Sequence, residues 1–136
     1  MKLPPLEVRT PSATALVEVT AEVRAALRAS GVRSGLLVAF VPHTTAGITV
    51  QENADPDVKH DLLLALENAV PAHASRGEYR HGEGNSDAHV KASLVGNSVT
   101  LLVRDGDLAL GTWQGLQLCE FDGPRTRSLW LEVIPG

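Results

Sequence analysis

Gly35-Leu36-Leu37-Val38-Ala39-Phe40-Val41, continued by Pro42-His43-Thr44-Thr45-Ala46-Gly47, passes from an apolar run into a polar turn, and the centre of the fold follows from that change. The first seven residues form an unbroken apolar run, too short for a typical helix, and this predicts a buried central strand. The run ends at Pro42 and leaves His43 at the strand's tip, among hydroxyls and a glycine. A polar side chain in that position points towards a cleft.

Working outward, Leu6 to Thr10 alternates apolar and polar as a half-buried strand does, and Ala15 to Val19 predicts a second strand after the turn at Pro11-Ser12. Thr20 is read as the cap of a helix carrying Val23 and Leu27 and ending at Gly31. Ile48-Thr49-Val50 reads as the next strand. Asp55-Pro56-Asp57 opens a second helix, with Val58, Leu62, Ala65, Leu66 and Ala69 at helical spacing and Pro71 as its stop. Ala72 to Asp87 is glycine-rich and aperiodic, hence a long loop of the kind that carries function. Ala88 to Val95 predicts a short helix with His89 and Ser93 on one face. Ser98 to Val103, Leu110 to Phe121 and Arg127 to Ile134 read as strands, with turns at Asp105-Gly106-Asp107 and Asp122-Gly123-Pro124-Arg125. Helices early and antiparallel strands late predict one α+β domain over residues 1–136, antiparallel sheets packed with two main helices.

Composition narrows the class. The chain has 136 residues, 43% of them hydrophobic, which suffices for a packed core. A net charge of −4 argues against broad nucleic-acid binding, which needs a concentrated basic face. No apolar run approaches a membrane span, and Met1-Lys2-Leu3-Pro4-Pro5 has no signal-peptide core. The single cysteine, Cys119, allows no intrachain disulfide and reads as a buried thiol. These features set the expectation of a cytoplasmic protein without a membrane or nucleic-acid partner.

The candidate site begins with His43, His81 and His89, since neutral imidazole is the commonest metal ligand and titrates near neutral pH. Three imidazoles would form one face of a metal or phosphate site, although their spacing matches no tight zinc signature. Glu52 and Asn53, just before the second helix, are expected to face the same cleft, while Asp55 is the helix cap. Asp61 lies where capping does not need it and is a candidate ligand or base. Gly111-Thr112-Trp113-Gln114 offers a ring to stack and an amide to bond its edge. Arg125 and Arg127 suit a bidentate phosphate or carboxylate clamp. No GxGxxG, P-loop, GxSxG or CxxC pattern occurs.

Together these segments resemble the YjbQ-like family, described as secondary thiamine-phosphate synthases, over nearly the whole chain. The resemblance rests on His43-Thr44-Thr45-Ala46, Glu52-Asn53 with Asp55-Pro56, His89 with Ser93, Gly111-Thr112-Trp113-Gln114 and Asp122-Gly123-Pro124-Arg125-Thr126-Arg127. Gln51 departs from the Asn expected before Glu52. The resemblance implies an antiparallel-sheet α+β fold and a homotrimer with polar residues near a subunit interface, which would bury one face of Ser128 to Ile134.

It also implies an enzyme that joins hydroxymethylpyrimidine diphosphate to thiazole phosphate and releases pyrophosphate. In that reading His43, Glu52, Asp61 and His89 are the catalytic candidates, and a divalent cation, Mg or Zn, would sit on Glu52, Asp61 or the histidines. Thr44, Thr45, Asn53, Ser93, Thr112, Trp113, Gln114, Arg125 and Arg127 would bind substrate, Trp113 stacking on the pyrimidine and Gln114 bonding its amino edge. Two further readings stand beside it. His43, His81 and His89 would hold a metal for hydrolysis of a phosphorylated molecule, or a non-catalytic trimer would bind a small anion at its interface.

Overall fold

The computed structural model describes residues 1–136. Its elements in chain order are β1 (Leu6–Arg9), β2 (Ala15–Glu18), α1 (Thr20–Ser30), β3 (Gly35–Phe40), β4 (Ala46–Glu52), α2 (Pro56–Ala69), α3 (Ser86–Val95), β5 (Ser98–Arg104), β6 (Asp107–Leu108), β7 (Gln114–Glu120) and β8 (Thr126–Pro135). The expected α+β class is what folds. The apolar run is β3, and it is central, with β5 on one side and β8 on the other.

Two antiparallel sheets face each other, one ordered β1-β8-β3-β5-β6 and the other β2-β7-β4. Strand alternation makes the core between them. Leu37 and Ala39 of β3, Leu101 and Val103 of β5, and Leu129, Leu131 and Val133 of β8 point inward. They meet Leu116 and Leu118 of β7 and Ile48 of β4, while Val23 and Leu27 of α1 enter the same core. On the other face of β7, Cys119, with Phe121 just beyond the strand, packs against Ala88 and Ala92 of α3, with Leu63 and Leu66 of α2 alongside. The layers are therefore sheet, core, smaller sheet, then α2 and α3.

Local signals explain most boundaries. Asp55 caps α2 through its side chain, which accepts from Asp57 N–H at 2.9 Å, with Pro56 at the first helical position. Gly31 closes α1 in a left-handed conformation, φ 73°. Thr20 is not the cap expected of it. It is the first residue of α1, and its buried hydroxyl accepts from Leu116 N–H at 2.9 Å, tying helix to sheet. The long Leu110 to Phe121 strand is also shorter than expected, because Gly111-Thr112-Trp113 form a turn before β7. That turn is closed by Gln114 N–H donating to Gly111 C=O at 3.1 Å.

Candidate functional site

The site grows from the one end of the sandwich where the two sheets are joined by polar groups instead of methyls. Glu120 ends β7 and Arg127 is the second residue of β8, and both are buried. A buried charge must be paired. The guanidinium forks onto the carboxylate, Nε donating to Oε1 at 2.8 Å and Nη2 donating to Oε2. Thr10 O–H donates to Oε1 at 2.7 Å, and the amides of Phe121 and Asp122 both donate to Oε2 at 3.0 Å. Arg127 Nη2 also donates to Thr45 Oγ1 at 2.8 Å. Burial raises the Glu120 pKa, but these donors outweigh it and hold the carboxyl below its usual range.

That network fixes the 42–45 turn, which runs from β3 to β4, and so fixes His43. The amide of Ser128 donates to His43 Nε2 at 2.9 Å. Burial lowers the His43 pKa, and the neighbouring Arg127 lowers it further against the opposing pull of Glu120. On the other side stands α3. Its N-terminal end is tethered by Asn85 Nδ2 donating to Asp122 Oδ2 at 2.9 Å, and its C-terminal end by Ile48 N–H donating to Gly96 C=O at 3.0 Å.

Between turn and helix lies a groove of two adjoining hollows. One, of ≈ 520 Å³, is bounded by His43, Thr44, His89, Ser93 and Asn97. The other, of ≈ 340 Å³, is bounded by His43, Thr44, His89, Asp122, Arg125 and Arg127, with no hydrophobic residue in its wall. Arg125 holds Asp122 through Nε to C=O at 2.7 Å and Nη2 to Oδ2 at 3.1 Å. Burial pushes the Asp122 pKa up, but the bonds from Asn85 and Arg125 leave it below the ordinary value.

The sequence-derived candidates therefore divide. His43, Thr44, Thr45, His89, Ser93, Arg125 and Arg127 converge on the groove. His81 stands next to it, its ring edge-on to His89 with centroids 5.3 Å apart and its Nε2 3.7 Å from Glu83. Glu52, Asn53, Thr112, Trp113 and Gln114 do not share this cleft. Glu52 pairs with Gln114 at the far end of the same ladder in which Ala46 pairs with Glu120. At about 3.3 Å per residue, the two ends of β4 lie roughly 20 Å apart. Trp113 is 64% exposed there, filling no core. Asp61 lies on the outer side of α2, 75% exposed, and accepts from or pairs with its neighbour His60 at 3.0 Å.

No three His, Cys, Asp or Glu side chains come together closely enough to hold a metal ion. The ring nitrogen of His43 that faces β8 is already occupied by the Ser128 amide. The three-histidine metal set is thus not assembled within one chain. Glu120, Asp122, Asn85 and Glu83 were missed by sequence reasoning. Only Glu120 left a signal: a carboxylate in register with Leu116 and Leu118 on the inward face of a strand demands a cation nearby.

The family model described as "UPF0047 protein YjbQ-like" matches residues 5–136. A UPF0047 protein of Methanocaldococcus jannaschii is 47% identical over 94% of this chain and 91% of its own length. The UPF0047 protein YugU of Bacillus subtilis is 46% identical over 95% and 96%. Among solved structures, a YjbQ/UPF0047 family protein of Clostridium acetobutylicum superposes with a TM-score of 0.91 at 46% identity, covering 96% of this chain and 99% of that one. A YbjQ-like protein of Sulfolobus solfataricus keeps a TM-score of 0.91 at 29% identity, covering 98% and 96%. With fold, groove motifs and full-length similarity in agreement, the chain belongs to the YjbQ-like UPF0047 family.

Proposed function

We propose that the His43 groove binds a small diphosphate-bearing molecule. We further propose that the chain acts as a thiamine-phosphate synthase-type transferase, joining hydroxymethylpyrimidine diphosphate to thiazole phosphate. The observation that carries this reading is the convergence of Arg125, Arg127, His43 and His89, from three separate segments, on one groove whose second hollow is lined mainly by polar and charged residues. The reaction breaks the bond between the pyrimidine methylene carbon and the diphosphate oxygen, and the thiazole nitrogen forms the new C–N bond. It asks the protein to hold the two reactants in line and to stabilise charge on the departing pyrophosphate.

Arg125 lies at the mouth, half-exposed, and is the arm able to swing from Asp122 to a phosphate. Arg127 is held by Glu120 and Thr45, and its Nη1 has no partner in the chain. Thr44 lines both hollows, while the Ser93 hydroxyl, in the first, donates to His89 C=O at 2.9 Å. No step is assigned to a metal ion, since the donor set within the chain does not fit one.

We also propose a homotrimer. The outer face of the five-stranded sheet leaves Leu36, Leu102, Trp130 and Ile134 exposed, more apolar surface than a solvated sheet face usually carries. Assembly would also let the Trp113 end of one copy serve a neighbour's groove, which its own chain cannot do. No helix is long and apolar enough to cross a membrane, and a cytoplasmic setting accords with the free, buried Cys119, whose pKa burial pushes up to about 12.

The direct test is to incubate purified protein with both phosphorylated reactants and follow thiamine phosphate and pyrophosphate. Arg125→Ala should lower kcat/KM by about tenfold or more, the loss of one hydrogen bond to a charged group. Absence of pyrophosphate release by the wild-type chain would defeat the reading.

A further inference from the structure

We infer that His43 serves the groove as a neutral hydrogen-bond donor to an anionic oxygen through Nδ1–H, and is neither a metal ligand nor a general base. The inference deepens the role of the groove and rests on the reading that its ligand carries phosphate. Its ground is one contact. A backbone amide can only donate, so the 2.9 Å bond from Ser128 N–H requires an unprotonated Nε2. A neutral imidazole carries its one proton on the other nitrogen. The tautomer is therefore fixed by β8 and not by the ligand.

The remaining nitrogen is the one available. Nδ1 has no partner in the chain and is not among the buried unpaired polar atoms, while His43 lines both hollows of the groove. Nδ1 thus opens to the groove and presents N–H to it. A metal needs a lone pair, and this nitrogen offers none while Nε2 is held by Ser128. A base needs a free lone pair as well, and the only lone pair is engaged by the Ser128 amide. Charging the ring would place a cation against the buried guanidinium of Arg127 and break the Ser128 bond. A neutral donor set in a fixed orientation stabilises developing negative charge without gaining or losing a proton. Ser128 is accordingly a positioning residue, acting through its main chain.

The test uses the full chain labelled with 15N at histidine, with inorganic pyrophosphate as the probe. Nitrogen–proton correlation spectra should show His43 protonated at Nδ1 only, and pyrophosphate should shift that nitrogen while leaving Nε2 bonded to the amide. Two variants separate the nitrogens. His43→Asn keeps a donor at the Nδ1 position and should hold pyrophosphate affinity within a few-fold. His43→Gln keeps an acceptor for Ser128 and loses the donor, and should weaken binding about tenfold or more. An Nε2–H tautomer or an imidazolium in the free protein would overturn the inference, as would binding preserved in the Gln variant and lost in the Asn variant. So would selective broadening of the His43 nitrogens by Co²⁺. A chain that makes no thiamine phosphate, yet shows the Nδ1 shift with pyrophosphate, would remove the proposed reaction and leave this inference standing.

Discussion

Glu120 and Arg127 lie seven residues apart on opposite sheets, and their ion pair closes the end of the sandwich core beside the groove. The turn between them brings the two charges face to face, and Thr10 and Thr45 complete the cluster from two other segments. One buried carboxylate therefore orders four parts of the chain at once.

Removing its charge should be costly. Glu120→Gln leaves the Arg127 guanidinium buried without a counter-charge, and an uncompensated buried charge costs about 3–5 kcal/mol. Urea unfolding followed by circular dichroism should show this loss. A change under about 1 kcal/mol would mean that the cluster is hydrated and not a buried lock.

Lys91 offers the opposite case. It is as buried as Arg127, with Nζ 2.5 Å from Glu67, but Glu67 is itself half-exposed. In Lys91→Met the half-exposed Glu67 regains water and the methionine stem refills the space, and only Asp87, 3.8 Å from Nζ, is left with a largely buried carboxylate, so the cost should stay well below that of Glu120→Gln, at about 1–2 kcal/mol. Equal losses in this variant and in Glu120→Gln, measured under the same denaturant, would contradict the distinction.

Acid should destabilise the fold in two stages. Both His43 and Glu120 have pKa values lowered by folding, so each contributes stability that is present above its unfolded value and lost as pH falls through the folded one. The His43 share begins to fade below an ordinary value of 6.5 and the Glu120 share below 4.5. Thermal scans from pH 8 to pH 3 should show a shallow decline followed by a steeper one. His43→Gln should flatten the first stage and Glu120→Gln the second.

Gly47 controls how closely α3 approaches the sheet. A Cβ at that position would stand 2.6 Å from Gly96 C=O and 3.2 Å from Val95. Gly47→Ala must therefore push away the C-terminal end of α3, the helix that carries His89 and Ser93, at about 1–3 kcal/mol for overpacking. Calorimetry should register both a lower Tm and weaker pyrophosphate binding. Unchanged affinity in a destabilised variant would detach α3 from the ligand site.

The exposed sheet face predicts an assembly. Trp130, 53% exposed and packed at 5.9 Å against Phe40, lies on that face. The wild-type chain should sediment at three times its 14.4 kDa mass, and Trp130→Glu should shift it towards the monomer. A monomeric wild type would remove the homotrimer.

Elements whose signals are local can be read from the chain without its fold. The apolar run of β3, the Asp55-Pro56 start of α2 and the glycine stop of α1 all depend on neighbouring residues, and the structure reproduces them. His43 was legible for the same reason, since the end of a central strand is a position readable from the chain alone. Which polar residues meet follows only from how the strands pair and pack. Glu52 and His43 are close in sequence, but an extended strand carries them to opposite ends of a ladder. Glu120 and Thr10 are far apart in sequence and share a hydrogen bond of 2.7 Å. Strand pairing fixes such meetings through register and burial, and neither is written in any single segment of the chain.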